Sequence, residues 1–292
     1  MKIKILLMIN IVALALIGCN KPSGNVDNSI VVVSLQPQKY FLDKLVGDKI
    51  KVECLLENGA NPESYEPSMN DLMMLEKSVA YFKMGNVGFE QILVDRLKQN
   101  NKTLNICDVS QGIDLIVGTH ECCEHHHGHK HSMSVDPHTW TSVKNAKIIV
   151  RNMYDEIVRI DTLNKELYKK NYDCLVASLD SLDNYALNKL ADCSGCSFLV
   201  WHPSLSYFAR DYGLEQMTMG QVGKELSAKQ LHDQIDKAKK HNAKVFFFQR
   251  EFDSRQASVL NEQIGAKMVT INPLNYEWEA EIRCIIDAIS SK

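Results

Sequence analysis

"LNKELYKKNYDCLVASLDSLDNYALNKLAD", residues 163–192, contains no glycine and no proline. Leu163, Leu167, Leu175, Leu179, Leu182, Ala186 and Leu190 recur at steps that put them on one face of a helix. About 30 residues rising about 1.5 Å each make a rod of roughly 45 Å, long enough to lie across two lobes. A single stiff helix differs from the flexible strands of a hinge, so lobes joined this way are expected to move little against each other.

On either side of that rod the chain follows one plan. Before it, "IVVVSL" (30–35), "IKVECLL" (50–56), "VAYFKMG" (79–85) and "TLNICDV" (103–109) read as strands. Helical segments are expected around Pro37–Leu45, Ser68–Lys77, Gly88–Gln99 and Thr141–Ile160. After it, "SFLVWH" (197–202), "LEQMTMG" (214–220), "KVFFFQ" (244–249) and "KMVTIN" (267–272) are strands, with helices at Ser204–Tyr212, Ala228–Asn242, Ser254–Gly265 and Glu277–Ser290. Alternation of this kind gives an α/β fold: two Rossmann-like lobes with mainly parallel sheets, residues 30–160 and 195–292, linked by one long rigid α-helix.

The 292 residues are 45% hydrophobic and 24% charged, the balance of a globular protein with a sizeable core. A net charge of −3 and the lack of any basic stripe point to no nucleic-acid partner. The first residues, "MKIKILLMINIVALALIGCN", stand apart. Lys2 and Lys4 precede an apolar run from Ile5 to Ile17 that is short for a bilayer span and has the layout of an export signal. It ends in "LIGC", which resembles the lipobox of bacterial lipoproteins. Residues 1–18 are then a cleaved signal peptide, and residues 19–29 a tether whose Cys19 carries lipid. Loss of Lys2 and Lys4 takes the mature charge from −3 to −3 − 2 = −5. Acyl chains contribute about 0.8 kcal/mol per buried CH₂, enough in combination to hold the domain at a membrane face of the cell envelope.

Of the nine cysteines, Cys54, Cys107, Cys174 and Cys284 sit in apolar patterns and read as small core residues. Cys193 and Cys196, in "DCSGCS", leave two readings open, a local disulfide or a soft-metal pair. No second CxxC completes a zinc knuckle.

In parallel sheets ligands collect beyond the carboxyl ends of strands. Four such places carry potential metal ligands. In "NGANPESYEPS" (58–68), the Asn61-Pro62 turn presents Glu63; in "VDPHTW" (135–140), Asp136 and Pro137 present His138 in the same way. "VWHPS" (200–204) puts His202 at a strand end. "FFFQRE" (246–251) and "TINPL" (270–274) offer Gln249, Glu251 or Asn272. One carboxylate with two imidazoles is a usual Zn²⁺ set and leaves a position for water or a weak oxygen donor.

These segments carry a resemblance. "GANPESYEPS" is similar to the Gly-x-Asp-Pro-His-x-Tyr-Glu-Pro of the metal-binding lipoproteins of bacterial ABC importers for zinc and manganese, the solute-binding proteins whose lobes are joined by a long helix. "VDPHTW" matches their Asp-Pro-His-x-Trp, "WHPSLSYFARDYGL" (201–214) their histidine-containing Tyr-Phe segment, and "INPL" their late Asp-Pro-Leu. With the lipobox, the resemblance covers nearly the whole mature chain. It implies a non-enzymatic, monomeric protein that captures Zn²⁺ and delivers it to an ABC permease. Two departures matter: the family's first histidine aligns with Glu63, and its late carboxylates align with Gln249 and Asn272. The implied set is Glu63, His138 and His202, with Gln249 or water in the fourth position and Glu251 or Asn272 as alternatives.

Residues 120–138, "HECCEHHHGHKHSMSVDPH", hold seven of the ten histidines. The stretch 119–132, with His120, His125, His126, His127, His129 and His131, cannot bury a core and reads as a collector loop that binds metal loosely. Ordering it costs about 1–2 kcal/mol per residue fixed. Such a histidine-rich insertion is typical of the zinc-importing branch. The competing readings are a manganese or iron importer protein, which calls for more oxygen ligands; a zinc-dependent hydrolase, although no HExxH helix is present; and a surface metal buffer or adhesin.

Overall fold

The computed structural model describes residues 29–57, 59–100, 104–118, 134–220, 227–249 and 254–291. The expected signal peptide, Cys19, the histidine-rich stretch with His120, His125, His126, His127, His129 and His131, and Glu251 lie outside those residues.

The first lobe comprises β1 (Ile30–Val33), α1 (Gln36–Val46), β2 (Lys51–Cys54), α2 (Met69–Lys77), β3 (Ala80–Lys83), α3 (Gly88–Asn100) and β4 (Asn105–Asp108). Its four strands are all parallel, in the order β2-β1-β3-β4. Val31, Val32 and Val33 have no exposure, as expected of a central strand covered by helices on both faces. Two short antiparallel strands the sequence reading missed, β5 (Val117–Gly118) and β6 (Ser134–Val135), close the base of the histidine-rich stretch, with Val117 opposite Val135. A single 3-10 turn, Thr139–Thr141, then precedes α4 (Val143–Ile160). That helix therefore starts two residues later than the pattern suggests, where the Ser142 hydroxyl caps the Asn145 N–H at 3.0 Å.

The connector is α5 (Lys165–Lys189), followed by a 3-10 turn at Ala191–Cys193. Its 25 residues span about 37 Å. Leu175, Leu179, Leu182, Ala186 and Leu190 are buried along one face as expected, joined by Tyr168. Leu163 precedes the helix and is exposed. The corner before α5 is set by Asp161, whose carboxylate accepts from the Leu163 and Asn164 N–H groups, the Asn164 amide and the Tyr168 hydroxyl.

The second lobe comprises β7 (Ser197–Val200), α6 (Ser206–Tyr212), β8 (Glu215–Thr218), α7 (Ala228–Lys240), β9 (Val245–Gln249), α8 (Ser254–Ile264), β10 (Lys267–Ile271) and α9 (Trp278–Ser290). Its sheet is again parallel, ordered β10-β9-β7-β8. The chain leaves β7 toward one edge and β9 toward the other, so a crevice opens between their carboxyl ends.

One hydrophobic cluster runs through both lobes, from Val31 and Phe41 to Phe198, Tyr207 and Trp278. Two tryptophans bolt the lobes together. Trp140 donates its indole N–H to the Pro273 carbonyl at 2.9 Å, and Trp278 donates to the Trp140 carbonyl at 2.8 Å. Along α5, Asn171 donates to Leu45 O in the first lobe and Ser178 to Glu279 in the second. A smaller cluster around Phe246 and Leu260 fills the remaining face of the second sheet. Among the cysteines, Cys54 and Cys107 are half-buried as read, whereas Cys174 and Cys284 are exposed on α5 and α9 and are not core residues. Helix periodicity tells buried from exposed only at its extremes, and both sit on the flank of an apolar stripe.

Candidate metal centre

All four of the places singled out in the sequence converge at the mouth between the lobes. Asn61, Pro62, Glu63, His138, Trp140, His202, Ser204, Gln249, Pro273 and Leu274 line one crevice there. Glu63 comes from the turn after β2. The Asn61 carbonyl oxygen of the side chain accepts its N–H at 2.9 Å, an Asx turn that ties the backbone beneath Glu63.

His138 follows β6 and is buried. The Asp136 carboxylate takes both its backbone N–H, at 2.9 Å, and its ring Nδ1, at 2.8 Å. A carboxylate on Nδ1 holds the proton there and leaves the Nε2 lone pair directed into the crevice. Burial opposes the charge on Asp136, but the His138 ring, the His138 N–H and Ser206 outweigh it and hold its carboxyl below the usual range. The Tyr207 hydroxyl fixes the same segment from the second lobe, donating to Asp136 O at 2.7 Å and accepting from Ile116 N.

His202 follows β7 directly and is buried. Its Nε2 lies 3.1 Å from Nε2 of His138 and 3.4 Å from a Glu63 carboxylate oxygen. Donors about 2.0–2.1 Å from one tetrahedral ion stand about 3.3–3.4 Å apart. Both separations therefore suit a shared ion. Glu63 reaches His202 and not His138, so the three donors form an open chain with His202 in the middle. Among the described residues no three His, Cys, Asp or Glu groups form a finished cage. The Glu63 side chain is 36% exposed, the least confined of the three, and rotation about its own bonds would close the chain. Burial raises its carboxyl above the usual range, with the His138 ring pulling the other way.

Gln249, at the end of β9, is buried behind His202 with both ends of its amide engaged. Its oxygen accepts the His202 N–H at 3.2 Å, and its nitrogen donates to Ser204 Oγ at 2.6 Å. It braces the His202 turn. Asn272 does not line the crevice: its oxygen accepts from Leu274 N and its N–H donates to Glu281. Its neighbours Pro273 and Leu274 form the wall instead. Sequence reading missed the role of Asp136 on the Nδ1 face. An acid two residues before a histidine across a proline was the available signal.

The family model for ZnuA, the periplasmic zinc-uptake complex component A, matches residues 31–283. The chain is 30% identical over 254 residues to the high-affinity zinc uptake system protein ZnuA of Bacillus subtilis, covering 85% of this chain and 79% of that protein. It is 28% identical to the zinc-binding lipoprotein AdcA of Streptococcus pneumoniae, covering 95% of this chain and 56% of the relative, so it spans little more than half of that longer protein. Among solved structures, a crystal structure of ZnuA superposes with a TM-score of 0.80 at 31% identity, over 90% of this chain and 98% of the other.

Proposed function

The chain belongs to the family of the periplasmic zinc-uptake complex component A, and from that premise we propose that Glu63, His138 and His202 capture Zn²⁺ at the mouth between the lobes and present it to an ABC permease. The observation that carries the proposal is the pairing of two buried imidazole Nε2 atoms 3.1 Å apart, one with Asp136 on its far nitrogen, beside a carboxylate. Two neutral nitrogens with one anionic oxygen match zinc better than manganese, which prefers an oxygen-rich shell. The fourth position belongs to water, since the Gln249 oxygen is committed to the His202 N–H.

The proposed capture needs little rearrangement. An ion entering the crevice takes the Nε2 lone pairs of His138 and His202, and Glu63 swings from its contact with His202 onto the ion. The free space in the crevice is about 20 Å³, room for an ion or a water and far under the roughly 300–1,000 Å³ of pockets for organic ligands, which favours an ion over a hydrolase substrate. Lipid on Cys19 would keep the protein, acting as a monomer, at the membrane face where the permease lies. Among the described residues no helix is long and apolar enough to cross a membrane. The histidine-rich stretch 119–132 serves in this proposal as a low-affinity collector beside the site.

Calorimetric titration with zinc tests it. Wild type should bind one ion tightly, and His202→Ala should lose that ion while keeping the weaker equivalents; an unchanged tight ion in His202→Ala would remove the proposal.

A further inference from the structure

The Cys193-Ser194-Gly195-Cys196 segment plays no part in the metal centre, and its geometry is specific. Ser194 has φ −57° and ψ 124°, Gly195 has φ +77°, and Cys196 N–H donates to Cys193 O at 2.8 Å. Those are the marks of a type II β-turn, in which the third residue needs the left-handed region that glycine enters without strain. The turn is anchored to the sheet: Gly195 N–H donates to Gly213 O at 2.8 Å, and Glu215 N–H donates to Cys196 O at 3.0 Å. Such a turn brings its first and last Cα atoms within about 7 Å, in the range a disulfide spans.

No other pair of described cysteines is so placed. Cys54 lies on β2 and Cys107 on β4, at opposite edges of a four-stranded sheet and so about 14 Å apart. Cys174 lies on α5 and Cys284 on α9. The bonds Ser178 to Glu279 and Tyr185 to Asp287 align those helices so that Cys284 faces the region near Leu182, about two turns beyond Cys174. A metal at Cys193 and Cys196 would need further ligands, and among the described residues no third His, Cys, Asp or Glu completes a set with them.

We propose that Cys193 and Cys196 form a disulfide in the exported protein, a modification site that staples the end of the linking helix to the first strand of the second lobe. Cys196 is exposed and Cys193 half-buried, which sets the order of events. The Cys196 thiolate attacks a sulfur of an external disulfide oxidant, forming a mixed disulfide and expelling one thiolate of the oxidant. The Cys193 thiolate then attacks Cys196 Sγ, the intramolecular S–S bond forms, and the second oxidant thiol leaves. Two electrons pass to the oxidant, and the two thiol protons end on its thiols. The turn lies at the amino ends of β7 and β8, away from the carboxyl ends that carry His202 and Gln249, so oxidation leaves the crevice unchanged and the proposal stands apart from the metal reading.

The test equilibrates the purified full chain with an oxidising glutathione buffer, blocks thiols with N-ethylmaleimide and reads peptides by mass spectrometry. The expected result is a Cys193–Cys196 peptide lighter by two hydrogens and unlabelled, whereas the exposed Cys174 and Cys284 each carry N-ethylmaleimide or glutathione. Cys193→Ser should trap glutathione on Cys196, and Cys196→Ser should leave Cys193 without it. Reduction should lower the Tm by about 3 °C in wild type and not in either variant. N-ethylmaleimide or glutathione on Cys193 and Cys196 to the extent found on Cys174 would overturn the proposal, as would protection that EDTA removes, which would mark a bound metal. Glutathione on Cys193 in Cys196→Ser would overturn the order of attack.

Discussion

At the scale of single residues the site depends on which nitrogen of each imidazole faces the crevice. Asp136 decides this for His138, and its loss should leave the fold intact while the ring turns or changes tautomer. Asp136→Asn is expected to weaken zinc about 10- to 100-fold, the usual effect of removing a carboxylate partner behind a ligating histidine, as read by competition with a chromophoric chelator. The ring Nδ1 contact at 2.8 Å is the geometric basis. Glu63 gives a pH signature. Its carboxyl is held above the usual carboxylate range by burial, against the pull of His138, so protons compete for it at a higher pH than for an ordinary carboxylate. Zinc affinity should fall as pH drops from about 7 to about 5, because the ligands bind only when deprotonated. In Glu63→Gln the affinity should start lower and fall less steeply, since one competing proton is gone; an identical slope in both proteins would mean that Glu63 is no ligand. Residue identity in the loops was legible from the two Asx-Pro turns and the strand-end histidine. The orientation of Gln249 was not, because a strand-end amide can face either the crevice or the adjoining backbone, and its oxygen here accepts the His202 N–H in the turn.

At the scale of elements, the corner between α4 and α5 and the β5/β6 ladder do the positioning. Asp161 is almost wholly buried and receives four hydrogen bonds, and these hold its carboxyl below the usual range although burial works the other way. A folded value below the unfolded one gives stability that is present above the unfolded value of about 3.9 and is lost as pH falls through the folded value. Denaturant melts should therefore show Asp161→Asn less stable by about 1–2 kcal/mol at pH 7, with the gap to wild type closing as pH drops below about 4. The ladder makes a second expectation. Val117 to Val135 and Gly118 to Ser134 pair outside the histidine-rich stretch, and Asp136 N–H donates to Ile116 O at 2.9 Å. Deleting residues 119–132 should remove the weak zinc equivalents and keep the tight one, measured by calorimetry. The extent of α5 was readable from a run without glycine or proline, and the strands from β-branched clusters. Two-residue strands such as β5 and β6 carry too little pattern to read, and their pairing goes with a tertiary contact, the Tyr207 hydroxyl bonding Ile116 and Asp136 on either side of the ladder.

Taken whole, the two four-stranded parallel sheets share the larger of two hydrophobic clusters. Phe41 packs edge-on against Trp278 with ring centroids 4.9 Å apart, Tyr276 donates to Asp43 at 3.0 Å, and the reciprocal bonds of Trp140 and Trp278 cross the same seam. Parting the lobes would expose this apolar surface at about 25 cal/mol per Å² and break buried bonds, so a wide hinge opening is costly. Small-angle scattering should give the same radius of gyration with and without zinc, the change being confined to Glu63 and its turn. A marked contraction on adding zinc would speak for hinge closure instead. The long helical connector was legible, but the tryptophan bolts were not, because Trp140 lies 133 residues from Pro273 and 138 from Trp278 in sequence.

The most direct measurement is anomalous diffraction at the zinc edge from crystals of the full chain loaded with one equivalent. The account predicts a single strong peak about 2.0–2.2 Å from Nε2 of His138, Nε2 of His202 and a carboxylate oxygen of Glu63. A peak held by other residues, or one that leaves the Glu63 carboxylate or either imidazole out of bonding range, would contradict it.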